Sequence, residues 1–431
     1  MKSKRGTGLV TLPIAVLGGM ILGIVILVVL LYSTHHREDL ALRVLKTGSF
    51  NDLLPSIVGL AQSTISEGNK VEVIQNGAFF PLLLRDIAAA KETIHFEMYV
   101  WWKGDICRQV ATALAAKAKE GLEVRVLLDA SGSSRMDDEL FEMMEKAGVK
   151  AAKFHPPSIR KLGRMNNRDH RKIVVLDGRI GYIGGHGIAE QWTGDAQDKK
   201  HWRDTMVRVE GLVVRNLQEA FCENWIEQTG EVTAGEKYFP RLTASGTTRA
   251  HVAYTKPSGT VASVQLLYYL AISAAQKELI IQNPYFLPDD DAMLALEEAV
   301  KRGVDVKVMV PGTDVSDSAL VQHASHHKFG HLLQKGIKIY EYKKTLLHQK
   351  VMIVDGLWSA VGSTNFDARS FEINDEISMG IVDPGIAAQL KAAFEEDMKS
   401  AEQVQPDSWS NRPIIHKVKD AFFYWAGSEQ L

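Results

Sequence analysis

Short runs of β-branched and aliphatic residues alternate along this chain with Ala- and Leu-rich amphipathic stretches. The run His170-Arg-Lys-Ile-Val-Val-Leu176 reads as a strand, and period-two alternation puts His170 and Lys172 on one face; His348 and Lys350 share a face by the same rule. Cys107 to Glu120 and Asp291 to Arg302 read as helices. Strands alternating with helices predict α/β architecture with largely parallel sheets.

The pattern occurs twice. Lys91-Glu-Thr-Ile94 to Tyr99 parallels Lys277-Glu-Leu-Ile280 to Tyr285, Gly121 to Asp129 parallels Gly303 to Pro311, and Ala147-Gly-Val-Lys150 parallels Lys335-Gly-Ile-Lys338. Two duplicated α/β halves around one shared site at a pseudo-twofold interface follow from this. The Thr243-Ala-Ser-Gly-Thr-Thr248 stretch is the expected linker, giving a first half over 70–244 and a second over 245–402. Residues 41–69 read as a tether with one short helix. Residues 403–431 read as a tail helix whose Phe422-Phe-Tyr-Trp425 cluster suits a core contact better than a membrane one, although a helix combining aromatic and basic residues can also lie at an interface.

Ahead of all this, Leu9 to Tyr32 carries no charge and supplies the roughly 20 apolar residues a bilayer-spanning helix needs. The run is too long for a cleaved signal core and has no small-x-small cleavage site, so residues 1–40 are expected to form an uncleaved single-pass anchor in the cell membrane. Lys2, Lys4 and Arg5 before it balance Arg37, Arg43 and Lys46 after it, and only the N-terminal amine tips that end inside.

Charge narrows the function. Fifty Lys plus Arg against fifty-two Asp plus Glu leave a net charge of −2, without the basic excess of a protein that tracks nucleic acid. One local concentration, Arg160, Lys161, Arg164, Arg168, Arg171 and Lys172, is either a solvated basic loop or an attractor for anionic lipid headgroups. Cys107 and Cys222 fall in separate helical stretches outside any metal-binding pattern, so packing is their expected role.

The chemistry lies in a phrase repeated at the same spacing: His170-x-Lys172 with Asp177, and His348-x-Lys350 with Asp355, each followed by a small-residue turn, Gly184-Gly185 or Gly362-Ser363. Asp177 and Asp355 precede glycines at strand ends and are read as structural. Two imidazoles in opposite protonation states can attack a phosphodiester and protonate its leaving alkoxide. Lys172 and Lys350 would hold the non-bridging oxygens and offset transition-state charge, which leaves no evident need for a metal or other cofactor.

These motifs resemble the phospholipase D superfamily and, within it, the bacterial cardiolipin synthases. The second half carries the likeness furthest, through His348-Gln-Lys350, Asp355, Gly362-Ser-Thr-Asn365-Phe-Asp367, Arg369-Ser-Phe371, Asn374 and Glu376, and the resemblance covers roughly Val71 to Asp397. It implies two phospholipase D-like halves after one transmembrane helix. It further implies His170 as nucleophile, His348 as general acid and later base, Glu376 as acidic partner of His348 and Asp204 as counterpart for His170. Asn365, Ser363 and Gly185 are then expected around the substrate phosphate. Gly187 stands where the family commonly has asparagine, so a cradle short of one amide is expected, with His186 either a substitute or a turn residue without a role.

The resemblance implies a membrane-anchored phosphatidyltransferase that makes cardiolipin from phosphatidylglycerol through a phosphohistidine, with the bilayer as partner and no nucleic acid. A phospholipase D hydrolase uses the same residues with water as acceptor. A phosphodiesterase or nuclease fits the motifs but neither the charge nor the anchor, and a scaffold with a decayed site conflicts with two intact His-x-Lys pairs.

Overall fold

The structure, a computed structural model, describes residues 48–156, 166–256 and 262–427, with positions 16, 18–20, 22 and 23 near the N-terminus. Those six positions are helical. Among the described residues no helix is long and apolar enough to cross a membrane, and most of the expected Leu9–Tyr32 anchor lies outside them. Arg160, Lys161 and Arg164 also lie outside.

In chain order the first half supplies β1 (Ser66–Gln75), β2 (Thr93–Met98), β3 (Glu123–Asp129), β4 (Lys150–Phe154), β5 (Lys172–Leu176), β6 (Ile180–Gly184) and β7 (Thr205–Glu210). The second supplies β8 (Thr248–Thr255), β9 (Glu278–Gln282), β10 (Phe286–Leu287), β11 (Asp305–Pro311), β12 (Lys338–Tyr342), β13 (Val351–Val354), β14 (Trp358–Gly362), β15 (Phe366–Asp367), β16 (Glu376–Val382) and β17 (Ala401–Gln403). The first half runs β1-β7-β6-β5-β2-β3-β4, and the second repeats that order as β8-β16-β14-β13-β9-β11-β12 with β17 added at its edge. An irregular antiparallel pairing of β1 with β8 joins the two into one mixed sheet. Strands β10 and β15 form a separate parallel pair.

The expectation of largely parallel sheets holds only for β2-β3-β4 and β9-β11-β12. The remaining pairings within each half of the main sheet are antiparallel, and for β5-β6 and β13-β14 the reason is local. Asp177-Gly178 and Asp355-Gly356 adopt φ values of 52° and 61°, and of 55° and 65°. Positive φ at both central residues is the type I′ hairpin turn that favours Asp-Gly, and a tight turn returns the chain antiparallel. Each aspartate then caps a neighbouring segment. Asp177 accepts from the amides of Lys91, Glu92 and Thr93 at 2.7–3.2 Å, and Asp355 from those of Gln276, Lys277 and Glu278 at 2.7–2.9 Å.

The halves meet face to face through one apolar core, with Ile173, Val175, Ile183 and Val207 against Ile353, Val361, Ile377 and Met379. The first half begins at Ser66, and the helix Phe50–Leu60, within the stretch read as a tether, packs on the second half with Phe50 5.4 Å from the Trp358 ring. The tail forms the helix Ile414–Gly427. Its aromatic cluster is divided: Phe423 and Tyr424 pack on the helix Ala319–Gln334, while Phe422 and Trp425 are exposed.

Candidate active site

Four segments at or just before the starts of strands bring the site together. His170 precedes β5 and His348 precedes β13, while Asp204 precedes β7 and Glu376 opens β16. Main-chain bonds fasten them across the interface between halves. The His170 amide donates to the Asp375 carbonyl at 3.0 Å, and the His348 amide to the Arg203 carbonyl at 2.7 Å. The residue whose carbonyl is used comes directly before a carboxylate, so each histidine is set against the acid of the opposite half.

This overturns the pairing expected from sequence. His170 Nδ1 lies 2.8 Å from Glu376 Oε1, and His348 Nδ1 lies 2.7 Å from Asp204 Oδ2. The dyads are crossed: Glu376 serves His170, and Asp204 serves His348. An ionised carboxylate can only accept, so it fixes the proton on Nδ1 and leaves Nε2 for chemistry.

The lysines lie beside the imidazoles. Lys172 Nζ donates to the His170 carbonyl at 2.6 Å, and Lys350 Nζ donates to the His348 carbonyl and sits 3.0–3.1 Å from both ring nitrogens of His348. All four side chains are buried. Burial, followed by the charges of Lys172 and Lys350, pulls the His170 pKa well below its ordinary value; burial, followed by Lys350, brings His348 to about 4. Burial and the neighbouring Lys350 lower Lys172 to about 7, and burial lowers Lys350 to about 8. The site therefore holds two cations that are weakened by desolvation and available to an anionic group.

The two acids are tuned in opposite directions. Burial raises Glu376 to about 7. Burial also opposes ionisation of Asp204, but His186, His348 and Lys350 outweigh it and hold that carboxyl well below the ordinary range. Asp204 further accepts from Trp192 Nε1 at 2.7 Å and from the Thr205 amide at 2.8 Å.

The small-residue turns shape this arrangement, and two of the expected substrate contacts have other work. The Ser363 hydroxyl is fully buried and donates to Glu376 Oε2. A Cβ on Gly185 would come 2.2 Å from Asp204 Oδ1, so this glycine makes room for the carboxylate. Asn365 is buried, and its Oδ1 lacks a partner. The structure closes the corresponding position in the first half: a Cβ on Gly187 would meet Val100 at 2.8 Å and the Trp192 ring at 3.0 Å. That glycine does not need positive φ, and no vacant amide position exists there. His186 is no substitute either, since its Nε2 bonds the Asn76 carbonyl at 2.8 Å in a fully buried setting.

Several supporting residues carried no sequence signal. Trp192 and Trp202 pack on His348 with ring centroids 5.2 and 5.6 Å away, and Tyr99 meets His170 edge-on at 4.8 Å. Asp397 holds Arg203 Nε at 2.9 and 3.1 Å and accepts from Gln282 and Gln349, which fixes the segment carrying Asp204. Arg171, expected in a basic surface patch, is fully buried; it bonds Glu223 at 2.9 Å and the carbonyls of Ala220 and Thr255. Its burial removes it from any attraction of headgroups.

Two copies of one α/β unit, each lending the other the carboxylate for its motif histidine, define the phospholipase D class of enzyme. Comparison with known proteins narrows the class. The family described as cardiolipin synthase, PLD-like domain, matches residues 83–225 and 268–398, and the chain belongs to this family of phosphatidyltransferases. It is 35% identical to the probable cardiolipin synthase YwiE of Bacillus subtilis over 84% of this chain and 72% of that protein. It is 32% identical to the major cardiolipin synthase ClsA of the same organism over 90% and 82%. In fold it resembles the phosphatidylserine synthase of Haemophilus influenzae, with a TM-score of 0.67 over 86% of this chain and 97% of that one at 14% identity.

Proposed function

We propose that this enzyme condenses two phosphatidylglycerol molecules into cardiolipin and glycerol through a phosphatidyl-histidine. The crossed dyads carry the reading, because they give one phosphate two imidazoles whose partner carboxylates differ in how readily they ionise. His170 Nε2 attacks the phosphorus of the first lipid as the bond to the glycerol headgroup oxygen breaks. His348 gives its proton to that oxygen, and glycerol leaves. A headgroup hydroxyl of the second lipid then surrenders its proton to His348 and attacks the phosphorus, breaking the P–N bond and releasing cardiolipin. Lys172 and Lys350 hold the non-bridging oxygens throughout, and Asn365 donates to one of them.

The roles follow from electrostatics. His348 must be protonated when the donor is bound, and an Asp204 that stays ionised stabilises an imidazolium. The bound phosphodiester adds a negative charge that counters the lowering effect of Lys350. His170 must be neutral, as burial and two lysines favour. In this reading the apolar Leu9–Tyr32 run anchors the enzyme in the cell membrane by a single pass and keeps the acceptor lipid concentrated near the site.

Mass spectrometry of lipids after incubating the purified full-length enzyme with phosphatidylglycerol vesicles tests this function. Cardiolipin with an equal yield of glycerol is expected. Phosphatidic acid as the main product would make the enzyme a hydrolase.

A further inference from the structure

The helix Ile414–Gly427 has a settled inner face and an exposed outer one. On the inner face Phe423 stacks on His323 at 5.3 Å and Tyr424 on His327 at 4.5 Å. Asp420, the helix's one acid, is buried between His323 at 2.8 Å and Arg412 at 2.7 Å. Outward point Ile414, Ile415, Val418, Phe422 and Trp425, with Ile414 78%, Phe422 58% and Trp425 80% exposed. At helical spacing these five fall within an arc of about 100°, with Lys417 on one side and Lys419 on the other.

We propose that this outer face lies in the headgroup region of an anionic bilayer and seats the catalytic unit on its substrate surface; this rests on the reading of the substrate as a phospholipid. Three observations select a lipid surface over another occupant. The exposed charges flanking the stripe are both lysines, and the only acid is turned inward and paired, so the face complements anionic headgroups. Lysines on either side of an apolar stripe can keep their ammonium groups at headgroup level while the stripe sinks, the arrangement of a helix lying in an interface. The position is also right. Asp420 meets His323 and Tyr424 meets His327, so this helix runs in the same direction as Ala319–Gln334. The latter starts beside Asp317, which accepts from the Tyr285 hydroxyl at 2.9 Å, and the Tyr285 carbonyl accepts from the Phe366 amide, next to Asn365 of the site, at 3.2 Å. The apolar stripe therefore begins at the end of the helix pair nearest the active site.

The test uses the full-length enzyme in vesicles of phosphatidylglycerol with brominated acyl chains. The emission of Trp425, taken as the difference between wild type and Trp425→Phe, should be strongly quenched. A Phe422→Ser, Trp425→Ser double variant, which leaves the inner face intact, should lose about tenfold in turnover on vesicles. It should cleave a short-chain soluble phosphodiester within about twofold of wild type and keep its melting temperature. Unquenched Trp425 emission, or vesicle turnover equal to wild type, overturns the proposal. Loss of a dimer in the double variant together with unquenched emission would overturn it in favour of contact between copies. Quenching needs no turnover, so a wild type that makes no cardiolipin would sink the functional reading while leaving this measurement valid.

Discussion

Around His170 the supporting cation sits inside the motif itself: Arg171 is buried among Glu97, Asp169 and Asp375. Around His348 the corresponding motif position is the neutral Gln349, and the cation has moved to Arg203, directly before Asp204, where Asp397 clamps it. The acids differ in the same sense. Glu376 is raised to about 7 and accepts from Ser363, whereas Asp204 is held down and accepts from Trp192. Strand order and backbone bonding repeat in the two halves, but electrostatics do not. In the proposed mechanism the two imidazoles then suit different steps: His170 attacks as the neutral ring, and His348, beside a carboxylate whose pKa is held down, carries the proton.

The largest effects should come from removing either ring. His170→Ala and His348→Ala should each lower turnover on phosphatidylglycerol by about 10⁴-fold or more, since nucleophilic and acid–base roles are both lost from a shared site. A steady-state assay in which either variant kept a tenth of wild-type activity would rule out the shared site.

The carboxylates should separate the halves. Asp204→Asn should cost about 10³-fold with phosphatidylglycerol, because an imidazolium at His348 loses its counter-ion, and Glu376→Gln only about 10–10²-fold. With a nitrophenyl leaving group, which departs without a proton, the Asp204→Asn deficit in the first step should shrink to about tenfold while that of Glu376→Gln persists. Equal deficits on both substrates would mean that the two dyads are interchangeable.

Filling the closed position tests the asymmetry sterically. Gly187→Asn should lower stability by about 1–3 kcal/mol through overpacking against Val100 and Trp192, and activity should fall as Trp192 shifts from Asp204. Thermal melts and kinetics on the same preparation check this; a stable, fully active variant would show that the site has space for the amide after all.

The smallest effect expected is on the pH profile. Lys172 at about 7 and Lys350 at about 8 lose their protons as pH rises, so kcat/KM should decline further in two steps with midpoints in that window, beyond the loss that deprotonation of His348 begins at lower pH. His170 stays neutral down to well below its ordinary pKa, which keeps the nucleophile available at acid pH. Lys172→Arg, with a charge that does not titrate, should move the first decline upward at the expense of the maximum rate. An alkaline limb unchanged in that variant would assign it to another group.

How far these features could be read from sequence depends on where their causes lie. The two motifs, the duplication and the second-half signature were legible because alternation and Asp-Gly turns are local properties. The crossed pairing was not, since Glu376 and His170 are brought together only when the two faces meet, and an acid on either half fits a linear pattern equally well. Gly185 and Gly187 look alike as small residues in one turn, yet one clears space for Asp204 and the other abuts Val100 and Trp192. Arg171 appeared as part of a basic run because its burial depends on Glu223, Ala220 and Thr255, residues far along the chain.

The unequal roles of the two dyads can be read most directly by trapping the intermediate. Asp204→Asn enzyme, incubated with a nitrophenyl ester of phosphatidic acid and quenched in base, should accumulate the phosphatidyl adduct because His348 is then a poor base for the second step. Peptide mass spectrometry should place that adduct on His170. An adduct on His348, or an equal division between the two histidines, would contradict the assignment of nucleophile and acid to opposite halves.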